Sequence, residues 1–177
     1  MKNAIKKCMS IIVMSTIVLM FSMVSYARED NWFERTKIQT VDSVKKYVGN
    51  NEAKIIGSPR GRLISYVEVT LINLGNGVAE INANTFCHEQ MATIKMVLFL
   101  EKWNETYEDW EQEERFSYEW KAEDVPDGVL TSAMTSFNVY GLDRGYKYRV
   151  RGLFGAYDLD SSLQEVWQAW TEDVYFD

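Results

Sequence analysis

Residues 110–121 read WEQEERFSYEWK, and this stretch decides the fold. Its aromatic residues all fall on even positions: Trp110, Phe116, Tyr118 and Trp120. Every odd position from 111 to 121 holds a charged or polar residue. Successive side chains of a strand point to opposite faces, so the pattern predicts a strand with its aromatic side chains turned inward. The glutamates alone would favour a helix, but the strict alternation decides for a strand.

Six further runs share this period of two and are separated by turn residues. One such turn is Leu74-Gly75-Asn76-Gly77, in which glycine and asparagine tolerate a positive φ. The pattern contains no convincing long helix after residue 60, which predicts an all-β sandwich over 61–177. The seven predicted strands are Leu63–Asn73, Val78–Cys87, Ala92–Trp103, Trp110–Lys121, Leu130–Tyr140, Gly145–Phe154 and Leu163–Tyr175.

Residues 1–27 have the pattern of a helical signal peptide. Three lysines precede an apolar run over 9–21, and Ser25-Tyr26-Ala27 places small residues before a cleavage point. We therefore expect a secreted, extracellular protein with no membrane attachment after cleavage. The alternative is an uncleaved anchor, because the apolar stretch just reaches the length of about 20 residues that a spanning helix needs.

Residues 28–60 differ from the rest of the chain. Val41, Val44 and Val48 follow Thr40 at helical spacing, which predicts a short amphipathic helix or a partly disordered leader. Trp32 and Phe33 are too apolar for a linker, so we expect them to dock on the domain.

The charge of the chain narrows the range of partners, and its cysteine content limits the possible disulfides. The chain carries a net charge of −7, and the signal peptide holds three lysines and no acid, so the mature part is more acidic still. Nucleic acid is therefore an unsuitable partner, since phosphate contacts need clustered lysine and arginine. Cys87 is the one cysteine after residue 27, which excludes an intrachain disulfide there and predicts a small buried hydrophobe.

Catalytic patterns are weak, so we expect no enzyme and no cofactor. Cys87 and His88 are neighbours, but adjacent strand residues face opposite sides and do not share a proton easily. The mature chain holds too few histidines and cysteines for a typical zinc site, and no nucleophile elbow is present. The loop Asp158-Leu159-Asp160-Ser161-Ser162 offers hard oxygen ligands for calcium, although turns favour the same residues.

The stretch Leu142–Arg151, LDRGYKYRVR, resembles the sixth strand of fibronectin type III and related immunoglobulin-like sandwiches. The resemblance implies a sandwich of about seven antiparallel strands and a tyrosine, here Tyr148, whose hydroxyl caps the corner. Arg144 stands where those domains have a proline, so the resemblance is to the architecture.

The chain is also similar to a family of small secreted proteins of unknown function from Gram-positive bacteria. The similarity covers about residues 60–177 and implies no activity. Its carriers are the turn Asn73–Gly77, the strand Leu98–Glu101 with Trp110, and Gly145–Val150.

A binding face follows from strand parity. In the expected sandwich the fourth, third, sixth and seventh strands form one sheet, whose outer face presents Phe99, Arg149, Arg151 and Trp170 as the predicted binding residues. We place Glu111, Glu113 and Glu101 on the same face. Aromatic residues beside arginine are typical of binding hot spots. The competing interpretation is ordinary cross-strand stabilisation, in which an arginine stands opposite Glu101.

We therefore predict a secreted, non-catalytic module that recognises an extracellular protein or polymer. Replacing Arg149 and Arg151 by alanine would then change stability by no more than about 0.5 kcal/mol, as for most surface changes. The alternative is a carbohydrate-binding or carbohydrate-degrading protein, for which Trp103 and Tyr107 are the predicted exposed stacking residues.

Overall fold

The computed structural model of the chain describes residues 38–41, 44–59, 61–160 and 163–177, all within one compact unit, Thr36–Asp177. The predicted signal peptide and the residues Trp32 and Phe33 lie outside the described residues. The described part contains eleven β-strands, one 3-10 turn and no α-helix. The strands are β1 (Ile38–Thr40), β2 (Val44–Val48), β3 (Glu52–Gly57), β4 (Ile64–Gly75), β5 (Val78–Cys87), β6 (Thr93–Asn104), β7 (Asp109–Lys121), β8 (Ser132–Tyr140), β9 (Tyr146–Tyr157), β10 (Gln164–Trp170) and β11 (Val174–Phe176).

The strands form two sheets packed as a sandwich, which confirms the all-β prediction. One sheet has the order β1-β10-β9-β6-β7, with β11 paired to β9, and the other has the order β2-β3-β4-β5-β8. Strands β7, β6, β9 and β10 are the predicted fourth, third, sixth and seventh strands, so the sheet assignment is also confirmed. The predicted strand Leu163–Tyr175 is divided into β10 and β11.

The expected leader differs most from the structure. No helix follows Thr40; instead β1 pairs in parallel with β10, and β2 and β3 form a hairpin at the edge of the second sheet. Val41 is buried, and a Cβ added to Gly57 would lie 2.5 Å from its Cγ1 atom. Strands of both sheets therefore precede residue 61, because cross-strand hydrogen bonds and burial outweigh a helical spacing of three valines.

The core between the sheets is built from the inward positions of the central strands. Tyr148, Phe154 and Leu98 are among its largest fully buried side chains. Phe116 lies 4.5 Å from Phe137, ring centroid to centroid, and joins β7 to β8 across the sandwich. Phe116, Tyr118 and Trp120 all pack against the core, as the alternation predicts.

A buried carboxylate joins the two sheets. Glu165 on β10 accepts hydrogen bonds from the backbone N–H groups of Arg62, Leu63 and Ile64, at 3.0, 3.0 and 2.8 Å. A Cβ on Gly61 would lie 2.0 Å from Glu165 Oε1, so glycine is needed where the backbone wraps this group. The start of β4 is thereby held to the opposite sheet.

Tyr148 fixes the turn between β8 and β9. Its hydroxyl accepts a hydrogen bond from the Asp143 N–H at 3.1 Å and donates to the Asp143 carbonyl at 3.4 Å. Its ring packs edge-on against Phe176 at 5.0 Å, and burial raises the pKa of the phenol. The hydroxyl contact implied by the resemblance is therefore present.

Candidate functional site

The outer face of the β7-β6-β9-β10 sheet carries a cluster of arginines and aromatic rings at one end. We call this cluster the arginine–aromatic face. It comprises Phe99, Glu101, Trp103, Trp110, Arg115, Arg149, Arg151 and Trp170. These residues come from four neighbouring strands, so cross-strand register brings them together.

A β-bulge determines which β7 residues join this face. The pairing shifts between Leu100 opposite Glu114 and Glu101 opposite Gln112, so β7 has one extra residue, Glu113. A bulge reverses the facing of all residues beyond it. The predicted inward position of Trp110 is therefore wrong: it lies opposite Trp103 and reaches Arg149 on the outer face.

The same bulge removes two predicted acids from the arginine–aromatic face. Glu113 forms an ion pair with Lys102 at 2.6 Å, and Glu111 accepts a hydrogen bond from Asn104 at 2.8 Å. Lys102 and Asn104 have the opposite parity to Glu101. The negative charge beside the arginines is therefore reduced.

Glu101 anchors both arginines of β9. Its Oε2 accepts from Nε of Arg149 and its Oε1 accepts from Nε of Arg151, each at 2.7 Å. The Glu101 side chain is only 7% exposed, whereas those of Arg149 and Arg151 are 23% and 26% exposed. The trio carries a net charge of +1, and the carboxylate fixes the position of both guanidinium groups.

Aromatic rings support each guanidinium. The Arg151 guanidinium carbon lies 4.0 Å from the centroid of the Phe99 ring, and the Arg149 carbon lies 4.3 Å from that of Trp110. Arg115 approaches the same Phe99 ring at 5.6 Å. Arg149 and Arg151 are thus each fixed twice, by a charged hydrogen bond and by a cation–π contact.

Of the four predicted binding residues, the structure brings Phe99 and Arg151 into contact and places Arg149 beside them on Glu101. Trp170 stands opposite Arg151 and is half-buried. Phe99 differs from expectation, because it is 6% exposed beneath the arginines. The alternation along a strand shows on which sheet face a residue lies, but it does not show which side chains cover that residue.

The middle of this sheet face is apolar. Val97, Leu153 and Val166 are buried, although they do not belong to the core between the sheets. At the arginine end Trp103, Trp110, Arg149 and Arg151 are partly exposed, and at the other end Lys95 pairs with Glu119 at 3.5 Å. The sequence prediction did not assign Trp103 or Trp110 to the arginine–aromatic face. Trp110 was missed because the bulge reverses its facing.

The terminal nitrogens of the two arginines have no hydrogen-bond partner among the described residues. Within the described ranges, Arg149 and Arg151 each donate from Nε to Glu101, and their terminal nitrogens make no hydrogen bond. A guanidinium fork matches a carboxylate or phosphate group in shape and charge. The arrangement suits an anionic group, because no hydrogen bond to a described residue would have to break first.

A groove of about 600 Å³ lies beside this face, at the end of β6 and the start of β9. We call it the end groove. It is lined by Lys102, Trp103, Asn104, Glu105, Thr106, Glu111, Arg144, Gly145 and Tyr146. Lys102 bridges Glu113 at 2.6 Å and Asp143 at 3.2 Å and lies over the Tyr146 ring at 4.9 Å. These carboxylates raise the pKa of Lys102, so it remains a cation.

The two predicted stacking residues do not form one platform. Trp103 is half-buried and packs edge-on against Trp110, with ring centroids 5.4 Å apart. Tyr107 is 74% exposed in the turn between β6 and β7 and does not line the end groove. Tyr146 is the second ring in that groove.

Cys87 has the properties of a packing residue. It packs against the core, and burial, followed by the nearby Glu165 charge, raises the pKa of its thiol to about 12. The thiolate is the nucleophilic form, so the thiol is unreactive at neutral pH. His88 donates its backbone N–H to the Leu63 carbonyl at 2.9 Å.

The acidic loop after β9 serves the turn itself. Asp158 Oδ1 accepts a hydrogen bond from the Leu163 N–H at 3.0 Å, while Ser161 and Ser162 lie outside the described residues. Among the residues that the structure describes, no three histidine, cysteine, aspartate or glutamate side chains group as metal ligands.

The same part of the chain has no helix long and apolar enough to cross a membrane.

Comparisons with protein-family models, with curated proteins and with solved structures each find no match to this chain.

Proposed function

We propose that this protein is a secreted, non-catalytic module that recognises an extracellular protein or polymer through its arginine–aromatic face. One observation carries the proposal: Glu101 and two aromatic rings hold Arg149 and Arg151 in place while leaving their terminal nitrogens without hydrogen bonds in the described part of the chain. Binding then costs little side-chain entropy, because both arginines are already ordered.

The chemistry of this face favours a ligand that carries carboxylate or phosphate groups. Arg149 and Arg151 outnumber Glu101, although the whole chain is acidic. Flat, half-buried tryptophans beside the arginines add apolar contact area, as binding hot spots do. We propose an acidic extracellular polymer or an acidic protein segment as the ligand.

Secretion and fold family belong to the same proposal. The signal-peptide pattern of residues 1–27 supports an extracellular location. The three-strand set β4-β5-β8 facing the four-strand set β7-β6-β9-β10, together with the Tyr148 corner, supports an immunoglobulin-like or fibronectin type III-like sandwich. Strands β1, β2 and β3 extend this seven-strand arrangement at its edges.

Titration with polymers tests the ligand class. Polyphosphate and polygalacturonate serve as anionic probes, and dextran serves as the neutral control. We expect saturable binding of an anionic probe, and a loss of about tenfold or more in affinity, ~1.4 kcal/mol, for Arg149→Lys with Arg151→Lys. Lysine keeps the charge near Glu101 but lacks the planar fork.

Lys54→Arg is the matched control, since Lys54 lies on the other sheet and pairs there with Glu68 at 2.8 Å. Its affinity for the probe is expected to equal that of the wild type. Equal binding by the double lysine variant, or binding by neither anionic probe, would overturn the proposed ligand class.

Carbohydrate binding in the end groove is the second candidate. Trp103 and Tyr146 offer two rings, and Asn104 and Glu111 offer polar partners, around a space of about 600 Å³. Such a site would bind neutral oligosaccharides, and Tyr146→Ala would abolish binding while Arg151→Lys would not. Dextran binding that depends on Tyr146 would favour this candidate over the arginine–aromatic face.

A further inference from the structure

Strand β8 forms one edge of the five-stranded sheet and, unlike the edge strands β7 and β2, carries no charged residue. In the described part of the chain the strand orders end at β1, β7, β2 and β8, and β11 pairs with β9 alone; β1 and β11 have only three residues each. The sequence of β8, SAMTSFNVY, has nine residues with no charge and no proline. Its pairing with β5 runs from Ser132 to Tyr140 without a register shift. An edge of this kind is open to pairing with another strand.

The other long edge has the usual protection. Strand β7 carries charged residues along its length and contains the bulge at Glu113. Antiparallel pairing of β7 with its own copy about its centre would oppose Arg115 to Arg115 and Glu111 to Glu119. The same operation on β2 would oppose Lys46 to Lys46. Like charges directly opposite are destabilising, so both edges resist self-pairing.

Self-pairing of β8 meets no such repulsion. An antiparallel pair centred on Ser136 places Met134 opposite Asn138 and Ser132 opposite Tyr140 of the second copy. Met134 and Tyr140 are 66% and 69% exposed, so pairing covers two large side chains that are now in solvent. Inward-facing positions stay inward, because a two-fold axis preserves the parity of the strand.

We propose that β8 is a dimerisation edge, at which two copies of this chain join their five-stranded sheets through antiparallel β8–β8 pairing. Because β8 carries no charge, its side chains give no electrostatic preference for a particular foreign strand. The same lack of charge removes electrostatic repulsion at the contact between two copies of this acidic chain. Dimerisation is independent of the proposed function, since the arginine–aromatic face lies on the other sheet.

Charge-reversal pairs test the proposal by sedimentation velocity on the full chain as a secreting host processes it. We expect the wild type to be dimeric. Met134→Lys with Asn138→Lys places lysine opposite lysine twice and raises the dimer dissociation constant by about tenfold or more, ~1.4 kcal/mol. Met134→Glu with Asn138→Glu does the same, and an equimolar mixture of the two variants restores the dimer.

Ser117→Lys with Gln112→Lys is the matched control, because both residues are exposed on β7. It is expected to remain dimeric. Circular dichroism checks that each variant folds, and the restored dimer in the mixture excludes misfolding as the cause of dissociation. A monomeric wild type at high micromolar concentration, or lysine and glutamate variants that remain dimeric alone, would overturn the proposal.

Discussion

The hydroxyl of Tyr148 is the residue-scale feature with the clearest energetic consequence. It exchanges two hydrogen bonds with the backbone of Asp143 in a buried setting. We predict that Tyr148→Phe lowers the free energy of unfolding by about 1 kcal/mol, which lowers Tm by about 2–4 °C for a domain of this size. Thermal melting measures this, and Tyr107→Phe, at an exposed position, is the control. An unchanged Tm would show that the Tyr148 hydroxyl does not stabilise the turn between β8 and β9.

Glu165 is the residue on which the contact between the sheets most depends. Glu165→Ala leaves three backbone N–H groups without their acceptor, so we predict a loss of about 3 kcal/mol or more in chemical denaturation. Glu165→Gln keeps one acceptor oxygen and is expected to lose less. Glu172→Ala removes an exposed carboxylate that pairs with Lys46 and is expected to change stability by less than about 0.5 kcal/mol. Equal losses for Glu165→Ala and Glu172→Ala would contradict this role.

Because of Cys87, the stability of the fold is expected to fall at alkaline pH. Its thiol has a pKa of about 12 in the folded chain, against about 8.5 when unfolded. The folded state therefore keeps its proton while the unfolded state loses it, so the contribution of this group to stability falls as pH rises from about 8.5 to 12. We predict that Cys87→Ala flattens this fall in denaturation measured from pH 8 to pH 10. An identical pH dependence in the variant would contradict the shift.

Single residues also show where sequence reasoning ends. The parity of β6 and β9 places Phe99, Arg149 and Arg151 on one face correctly. It does not show that Phe99 lies beneath the Arg151 guanidinium, because burial depends on which rotamers neighbouring strands adopt. Glu165 looks like an ordinary strand residue, since its three partners are about a hundred positions away in sequence.

At the scale of elements, strands β1 to β3 depend on one close contact. We predict that Gly57→Ala destabilises the fold by about 1–3 kcal/mol, because its Cβ would meet Val41 at 2.5 Å and force the strands apart. Val41→Ala makes room for that methyl group, so the double variant is expected to cost less than the sum of the two single changes. A double-mutant cycle measures this coupling. Strict additivity would contradict direct packing between these strands.

The pair β6–β9 is joined by charge as well as by backbone hydrogen bonds. Removing both arginines leaves the Glu101 carboxylate buried and unpaired, so Arg149→Ala with Arg151→Ala is now expected to cost about 2 kcal/mol rather than to be neutral. Adding Glu101→Gln removes the unpaired charge and is expected to recover part of that loss. Chemical denaturation of the two variants measures it. If the double alanine variant were as stable as the wild type, these arginines would be independent surface residues and the account of their pairing with Glu101 would be wrong.

Element prediction succeeded where alternation was long and failed where it was short or interrupted. Strands β4 to β10 match predicted runs because each spans at least seven residues of period two or of continuous apolar pattern. Strands β1 and β2 have three and five residues, too few to separate a period of two from a helical spacing. The bulge at Glu113 is not evident from the sequence, because residues 111–115 are all polar or charged and do not show which face each one takes, while Trp110 keeps the even parity of Phe116.

At the scale of the whole molecule, the sheet order was predictable and the ligand chemistry was not. The seven-strand arrangement followed from turn positions and one corner motif around Tyr148. The anchoring of two arginines by Glu101 needed the register between strands some fifty positions apart. The proposed function therefore rests on an arrangement that no local pattern encodes, and the arginine–aromatic face requires a direct test.

That test is a nuclear magnetic resonance titration of the labelled chain with polyphosphate and with polygalacturonate. The Nε–H signals of Arg149 and Arg151 report directly on the groups that Glu101 holds. Our account predicts that these signals and the indole signal of Trp110 shift together and saturate at one ligand concentration. Shifts confined to Tyr146 and the end groove, or no shift of either arginine signal on saturation, would contradict recognition by this face.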